Sequence, residues 1–253
     1  MSGGPNDDRS TTMSGTGTGT GTRIRELVVT PIAFGDPPLL LNADGVHEPL
    51  ALRCVLQLVL EDGTVGLGES PGGSARLERL QSAAKAVVGM DVFDTTAVAA
   101  AIDAVLAPTV PRSHDRGWAT SAVEVACLDA QGKLLGRPVS DLLGGRVRDA
   151  VPFAAYLFYK WAEHPALDGR EAIGDEWGEA LDPAGVVEQA RLMRQRYGFT
   201  SFKLKGGVFP PDEEIAAMRA LAEAFPGHPL RLDPNTAWNP CTPTRTWASA
   251  SPR

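Results

Sequence analysis

Two lysines and a carboxylate lie on neighbouring predicted strands, in a pattern that could remove a proton from a substrate. Apolar and charged residues alternate through Phe202–Lys205, which is the period of a β-strand, so both lysines face the same side. Leu230–Asp233 is predicted to be the next strand, and it ends in a carboxylate. The carboxyl ends of parallel strands meet at one edge, and β/α barrels carry their chemistry there.

Lys203 and Lys205 are candidates for acid–base catalysis. Two ammonium groups on one face of a buried strand repel each other, and burial disfavours each charge, so we expect both lysine pKa values to fall towards neutrality. A lysine with such a pKa can act as a general base. Gly206 and Gly207 follow and allow a sharp turn at the strand end. The alternative is an edge strand with two solvated lysines.

Asp233 is a candidate metal ligand, because Mg²⁺ prefers oxygen ligands and takes few of them from the protein. A metal ion beside a substrate carboxylate would stabilise the charge that develops when a lysine removes the neighbouring proton. The alternative is that Asp233 forms an Asx turn or a helix N-cap before Pro234.

Two aromatic side chains are further candidates for substrate contact. His47 lies in the loop between the first two long predicted strands. A loop histidine is usually only exposed, and the alternative is that the first domain closes over the barrel and brings His47 to the substrate. Tyr156 lies on the first barrel strand, where it points either towards the site or into the core.

The hydrophobic patterns predict an α+β domain followed by β/α units. The first part contains strands at 24–34, 50–60 and 64–69, a hairpin turn at Asp62-Gly63, and helices at 75–88, 97–106 and 119–135. The second part alternates strictly, with strands at 151–159, 201–205 and 230–233 and helices at 183–197 and 213–225. Strict alternation predicts a parallel sheet.

Four segments follow from these patterns. We predict a disordered tail over 1–22, an α+β capping domain over 23–148, the first three β/α units of a barrel over 149–239, and an unstructured segment over 240–253. A long polar insertion over 160–182 follows the first barrel strand, where insertions tend to cover the active-site face.

The composition indicates an ordinary globular protein. The chain has 253 residues, of which 43% are hydrophobic and 22% charged. The net charge of −7, without a basic cluster, argues against nucleic-acid binding. No apolar run reaches the roughly 18 residues that span a membrane. Cys54, Cys127 and Cys241 are far apart, which predicts reduced thiols and a cytoplasmic location.

The order of these parts resembles the enolase superfamily, of the mandelate racemase and muconate lactonizing enzyme type, and within it the glucarate dehydratase group. The resemblance extends over roughly residues 23 to 239. It rests on residues 47–49, 66–73, 156–158, 202–208, 232–235 and 237–238. The fold that it implies is an α+β capping domain followed by an incomplete β/α barrel.

The resemblance also implies a reaction and the residues that perform it. Lys205 would remove the proton next to a carboxylate, and Lys203 would tune the pKa of Lys205 and touch that carboxylate. Asp233 would be the first Mg²⁺ ligand. Asn235, His47 and Tyr156 would contact the substrate, a hexarate diacid that loses water. Members of the family are often homo-oligomers.

The sequence departs from this group in several ways. Two further metal ligands and a His-Asp pair, which the group carries on later strands, have no counterpart here. Thr236 stands where the group usually has glycine, and the residues from about 240 resemble out-of-frame translation. We therefore expect the isolated chain to be inactive or poorly folded. The alternatives are another acid-sugar dehydratase, a racemase or epimerase of the superfamily, or a non-catalytic fragment that binds a full-length homologue.

Overall fold

The computed structural model describes residues 21–35, 40–47, 50–111, 113–164 and 173–238. The strands are β1 (Ile24–Gly35), β2 (Leu41–Asn42), β3 (Gly45–Val46), β4 (Leu50–Leu60), β5 (Val65–Pro71), β6 (Ala155–Phe158), β7 (Glu163–His164), β8 (Ile173–Gly174), β9 (Phe202–Lys205) and β10 (Leu230–Asp233). The helices are α1 (Ser74–Val87), α2 (Thr95–Leu106), α3 (Ser113–Leu135), α4 (Val139–Leu142), α5 (Pro183–Tyr197) and α6 (Pro211–Ala224).

These elements form two compact units. The first contains the described residues up to Ile32 and the segment Arg53–Gly145. The second contains Ala33–Leu52 and the described residues from Arg146 onwards. The sequence prediction placed 23–148 in one domain, whereas this division assigns Ala33–Leu52 to the second unit, where Leu41 packs with the barrel strands. No helix in the described ranges is both long and apolar enough to cross a bilayer.

The first unit is the predicted three-stranded sheet with helices. The strand order is β1-β4-β5, and β4 pairs antiparallel with β5 through the predicted hairpin. The turn is stabilised by the Asp62 side chain, whose Oδ1 accepts from Thr64 N at 2.8 Å. Gly63 has a φ of 90°, which only glycine adopts without strain.

The helices of the first unit cover one face of this sheet. Alternate residues of β4, such as Leu56 and Leu58, are fully buried against helical residues such as Ile102. Helix α3 begins at Ser113 rather than at 119, and the Arg116 guanidinium in its first turns donates to the Val110 and Pro111 carbonyls.

The second unit contains a parallel sheet in the order β10-β9-β6. Strand β9 is the central strand of the three, so the alternative of an edge strand with solvated lysines is wrong. Helices α5 and α6 pack on the face that carries Phe202 and Leu204, both of which are buried. Helix α5 is capped by Asp182, whose Oδ1 accepts from Gly185 N at 2.8 Å.

Strand β6 is shorter than the predicted 151–159. Its first sheet hydrogen bond runs from Ala155 N to Ser201 O, and Pro152 has no N–H to extend the ladder. The chain between β1 and β4 was expected to be a loop, but it contains the hairpin β2–β3. In the described part of the insertion, β7 pairs antiparallel with β8.

The predicted disordered tail over 1–22 and the unstructured segment over 240–253 lie outside the described residues, apart from Gly21 and Thr22. The Thr22 hydroxyl donates to Asp91 Oδ2 at 2.7 Å, and its carbonyl accepts from Val92 N at 3.0 Å. The described structure therefore includes two residues that the sequence prediction assigned to the tail.

Candidate functional site

The two lysines of β9 lie on the face of the sheet opposite to Phe202 and Leu204, as the alternation predicts. The Lys205 side chain is 13% exposed and the Lys203 side chain 32% exposed. Parallel pairing brings Lys205 level with Asp233 on β10, and Lys203 level with Tyr156 on β6. The sheet thus assembles these side chains at one end of three adjacent strands.

Asp233 is the centre of the cluster. Its Oδ2 lies 2.9 Å from Lys203 Nζ and 3.1 Å from Lys205 Nζ. Lys205 Nζ also donates to Asn235 Oδ1 at 2.8 Å, and Asn235 N donates to Asp233 Oδ1 at 3.1 Å. The hydrogen bond from Asn235 N to Asp233 Oδ1 forms the Asx turn, which was the alternative interpretation of Asp233. The Asp233 carboxylate forms this turn and pairs with both lysines at the same time.

This pairing changes the electrostatics that the sequence predicts. Hydrogen bonds from Lys203 and Lys205 lower the pKa of Asp233 to about 2. The hydrogen bond with Asp233 raises the pKa of Lys203 and outweighs the opposing effect of burial. The expectation that the Lys203 pKa falls is therefore wrong, because the Asp233 carboxylate compensates the repulsion between the two ammonium groups.

We expect the Asp233 cluster to stabilise the fold except at strongly acid pH. The pKa of Asp233 is about 2 in the fold against an ordinary 3.8, so its contribution is present above pH 4 and is lost between about pH 4 and pH 2. Because the carboxylate is about one third exposed, the contribution is about 1 to 2 kcal/mol.

The measurement is the free energy of unfolding of the parent and of Asp233→Asn from pH 6 to pH 2. The two curves should converge as the pH falls. Curves that stay parallel over this range would contradict the predicted linkage.

Tyr156 lies on the lysine face of β6, and Lys203 Nζ is 4.7 Å from the centroid of its ring. Its neighbours Ala155 and Leu157 are fully buried, whereas Tyr156 is 41% exposed. The alternative that Tyr156 fills the core is therefore wrong, and the side chain is available at the surface of the lysine cluster.

His47 directly follows the hairpin β2–β3 in the second unit. Leu41 N of this hairpin donates to Tyr159 O at 2.8 Å, at the end of β6. A Cβ placed on Gly207 would lie 2.9 Å from Ala43 Cβ, so the hairpin also packs against the turn after β9. The segment that carries His47 is thus held beside the carboxyl ends of β6 and β9, the strands to which Tyr156 and Lys205 belong.

Two buried charged residues in this unit were not singled out from the sequence. Lys160 is fully buried after β6, and its ammonium lies 3.1 Å from Asp175 Oδ2 and 2.6 Å from Trp161 O. It also donates to Gly178 O. Glu214 in the first turn of α6 is likewise fully buried. The burial of Lys160 could have been inferred from its position directly after the apolar run that ends at Tyr159. The burial of Glu214 had no such signal, because this residue stands in an acidic run of the kind that is common in the first turn of exposed helices.

The turn after Asp233 contains two residues with left-handed backbone, Asn235 at φ 52° and Thr236 at φ 63°. Asparagine tolerates this conformation, whereas a β-branched threonine is strained in it. The sequence departure at Thr236 therefore has a physical cost within the candidate site.

We expect Thr236→Gly to stabilise the chain by about 1 kcal/mol, since the relief of strain exceeds the added flexibility of glycine in the unfolded chain. Urea denaturation measures this effect. Thr236→Ala is the matched control, because it removes the β-branch but keeps the Cβ, and it should gain less. A glycine variant no more stable than the alanine variant would contradict the prediction.

The candidate site fits Mg²⁺ only in part. Asp233 is ionised and offers an oxygen ligand at a strand end, which is the ligand type that Mg²⁺ prefers. Within the part of the chain that the structure describes, no group of three or more His, Cys, Asp or Glu side chains could hold a metal ion. Asp233 therefore supplies one suitable ligand, and the described residues do not make a magnesium site by themselves.

Comparison with known proteins identifies the class that this fold and site define. Residues 26–144 match the N-terminal domain of the mandelate racemase and muconate lactonizing enzyme family, and residues 185–250 match the enolase C-terminal domain-like family. The chain therefore belongs to the enolase superfamily, with an α+β capping domain and part of a β/α barrel.

Individual relatives support the same placement. The chain is 53% identical to a probable glucarate dehydratase of Streptomyces coelicolor, over 83% of this chain and 52% of that protein. It is 30% identical to a chloromuconate cycloisomerase of Cupriavidus pinatubonensis, over 77% of this chain and 48% of that protein. The predicted resemblance to the superfamily and to its glucarate dehydratase group is confirmed.

Solved structures agree. An enolase from Mycobacterium smegmatis complexed with tartrate superposes with a TM-score of 0.82 at 55% identity, over 90% of this chain and 54% of that one. An enolase from Thermobispora bispora complexed with magnesium and formate superposes with a TM-score of 0.81 at 49% identity, over 89% of this chain and 55% of that one. The chain spans about half the length of the relatives it matches.

Proposed function

We propose that this chain supplies the proton-abstracting part of the active site of a Mg²⁺-dependent sugar-diacid dehydratase. The observation that carries the proposal is the placement of Lys205 and Lys203 beside Asp233 at the carboxyl ends of adjacent parallel strands. Loss of water from a hexarate diacid is the reaction that best fits this arrangement, given the similarity to a probable glucarate dehydratase.

Lys205 is the proposed base. A base must present a lone pair, so Lys205 must first lose one of its three ammonium protons. The neutral amine keeps two N–H groups, which suffice for its hydrogen bonds to Asp233 and Asn235 while the lone pair accepts the proton next to the substrate carboxylate. Lys203 lies on the same face and remains cationic beside Asp233, since its pKa is raised. Its ammonium group can therefore bind the substrate carboxylate and favour the negative charge that forms on deprotonation.

The proposed substrate contacts extend around this pair. Tyr156 lies beside Lys203, Asn235 holds Lys205, and the hairpin segment brings His47 to the same end of the sheet. A hydroxy diacid as substrate is supported by the relative from Mycobacterium smegmatis, which binds tartrate. Magnesium, for which Asp233 would be one ligand, is supported by the relative from Thermobispora bispora.

A chimera tests the proposal. Residues 23–238 of this chain replace the corresponding part of the probable glucarate dehydratase from Streptomyces coelicolor, and product formation from glucarate with Mg²⁺ is measured. We expect the chimera to dehydrate glucarate, and we expect Lys205→Met to reduce the rate by about 10² to 10⁴-fold. The isolated chain, assayed alongside, should give no product.

Each result has a defined meaning. A folded chimera without activity, beside an active parent enzyme, would show that this half of the site does not support the reaction. A chimera in which Lys205→Met keeps full activity would remove Lys205 as the base. Product from the isolated chain would overturn the expectation that it is inactive. A panel of other sugar acids, scored for solvent deuterium incorporation, separates the racemase or epimerase alternative.

A further inference from the structure

Glu214 is a fully buried acidic residue in the first turn of α6, at a position where acidic side chains are normally exposed. Its neighbour Glu213 is exposed. Burying a carboxyl group is costly unless its oxygens are hydrogen-bonded. The contacts of Glu214 therefore indicate what offsets that cost.

One oxygen of Glu214 holds the turn that follows β9. Its Oε1 accepts from Gly207 N at 2.6 Å, from Val208 N at 2.9 Å and from Phe209 N at 3.1 Å. The other oxygen, Oε2, is buried and has no hydrogen-bond partner among the described residues. A Cβ on Gly206 would overlap Oε2, so this position accepts only glycine while the carboxyl group is in place.

The same turn contacts the strand end that carries Asp233. Gly206 N donates to Asp233 O at 2.9 Å. A Cβ on Gly207 would lie 2.5 Å from Pro234 O and 3.0 Å from Ala237 Cβ, so no side chain separates the two turns. Glu214 is thus linked to Asp233 through the hydrogen bonds of Gly206 and Gly207. It is linked to Lys205 through the same turn, because Lys205 directly precedes Gly206.

We propose that Glu214 is a positioning residue that sets the distance between the Lys205 ammonium group and Asp233. It does so by fixing the backbone of the turn 206–209, which determines where β9 ends and where Lys205 points. The consequence for proton abstraction rests on the proposed role of Lys205 as the base. The positioning itself concerns only the folded chain.

The proposal distinguishes the two lysines. Lys203 lies two residues further from the turn and pairs with Asp233 from within the sheet, where its position depends on the register with β6 and β10. Lys205 is the last residue of β9 and directly precedes Gly206. Loss of the Glu214 bonds should therefore free Lys205 before Lys203, whereas a general loss of structure would free both.

The test measures hydrogen exchange of the lysine ammonium groups with water by ¹⁵N–¹H NMR of the full chain at pH 6. The sequence has five lysines, Lys85, Lys133, Lys160, Lys203 and Lys205. Lys203→Arg and Lys205→Arg assign the two signals. The variants are Glu214→Leu, which removes all three hydrogen bonds, Glu214→Gln, which keeps a neutral acceptor oxygen, and Glu213→Gln as the matched control.

In Glu214→Leu we expect hydrogen exchange at Lys205 to accelerate about tenfold relative to Lys203. This factor corresponds to the loss of one charge-assisted hydrogen bond, that of Lys205 to Asp233. Glu214→Gln should accelerate it about threefold, because an amide oxygen is a weaker acceptor and the new NH₂ group has no partner. Glu213→Gln should leave both signals unchanged. If the leucine variant does not fold, the glutamine variant decides.

Two results would overturn the inference. Unchanged exchange at Lys205 in a folded Glu214→Gln or Glu214→Leu variant would show that the turn does not position Lys205. Equal acceleration at Lys203 and Lys205 would show a general structural role. The measurement is independent of turnover, so an inactive chimera together with selective release of Lys205 would remove the proposed reaction and keep the positioning role.

Discussion

Replacing Gly68 with alanine is expected to destabilise the first unit by about 3 kcal/mol or more, the upper range for inserting an atom into a packed interior. Gly66 and Gly68 on β5 lie directly under α3. A Cβ on either would overlap a helix carbonyl oxygen, that of Ala126 for Gly66 and that of Ala122 for Gly68. Because these obstacles are backbone atoms, the helix itself would have to move away from the sheet.

Urea denaturation of Gly68→Ala measures this cost, and Gly117→Ala is the matched control. Gly117 also belongs to α3, but a Cβ there meets nothing within 4 Å. Alanine at an exposed helix position is expected to stabilise the chain by up to about 1 kcal/mol. Similar stability in the two variants would show that α3 and β5 can separate without cost.

Replacing Lys160 with methionine is expected to destabilise the second unit by about 3 to 5 kcal/mol, the range for breaking a buried ion pair from one side. Methionine has a similar length but no donors. It would leave Asp175, whose side chain is only 14% exposed, without its cation, and it would leave the Trp161 and Gly178 carbonyl oxygens without their donor.

Two further variants give this prediction its controls. Arg191→Met breaks an exposed pair with Glu188, in which both side chains are 59% exposed, and should cost less than about 1 kcal/mol. The double variant Lys160→Met with Asp175→Leu should be less destabilised than Lys160→Met alone, because it removes the stranded charge. A Lys160→Met variant as mild as Arg191→Met would contradict the prediction that the buried pair of Lys160 and Asp175 stabilises this unit.

Local patterns were sufficient for the elements that position the site. The bounds of α5 and β10 agree with the sequence prediction, and Asp182 and Gly198 mark the ends of α5 by their side-chain cap and left-handed backbone. The lysine face of β9 also follows from alternation alone. In each case the determining contacts lie within a few residues along the chain.

The remaining features depend on contacts between distant segments. The pKa of Lys203 is raised rather than lowered because Asp233, on the next strand, lies 2.9 Å from its ammonium group. Glu214 has the sequence of an exposed first-turn acid, and it is buried because the glycine turn after β9 folds back onto it. Strand alternation and helix periodicity describe only neighbouring residues in the sequence, so they do not predict contacts between distant segments.

The hairpin β2–β3 lies in the N-terminal stretch of the chain but belongs to the second unit. Recombination between homologous genes at a junction near residue 145 would therefore separate this hairpin from the rest of the second unit. The transplanted piece would carry Ala43, which must fit against Gly207 of the recipient. Productive recombinants should thus be those in which both positions keep small side chains. The sizes of the two residues are then expected to be coupled, although more than 160 positions separate them in the sequence.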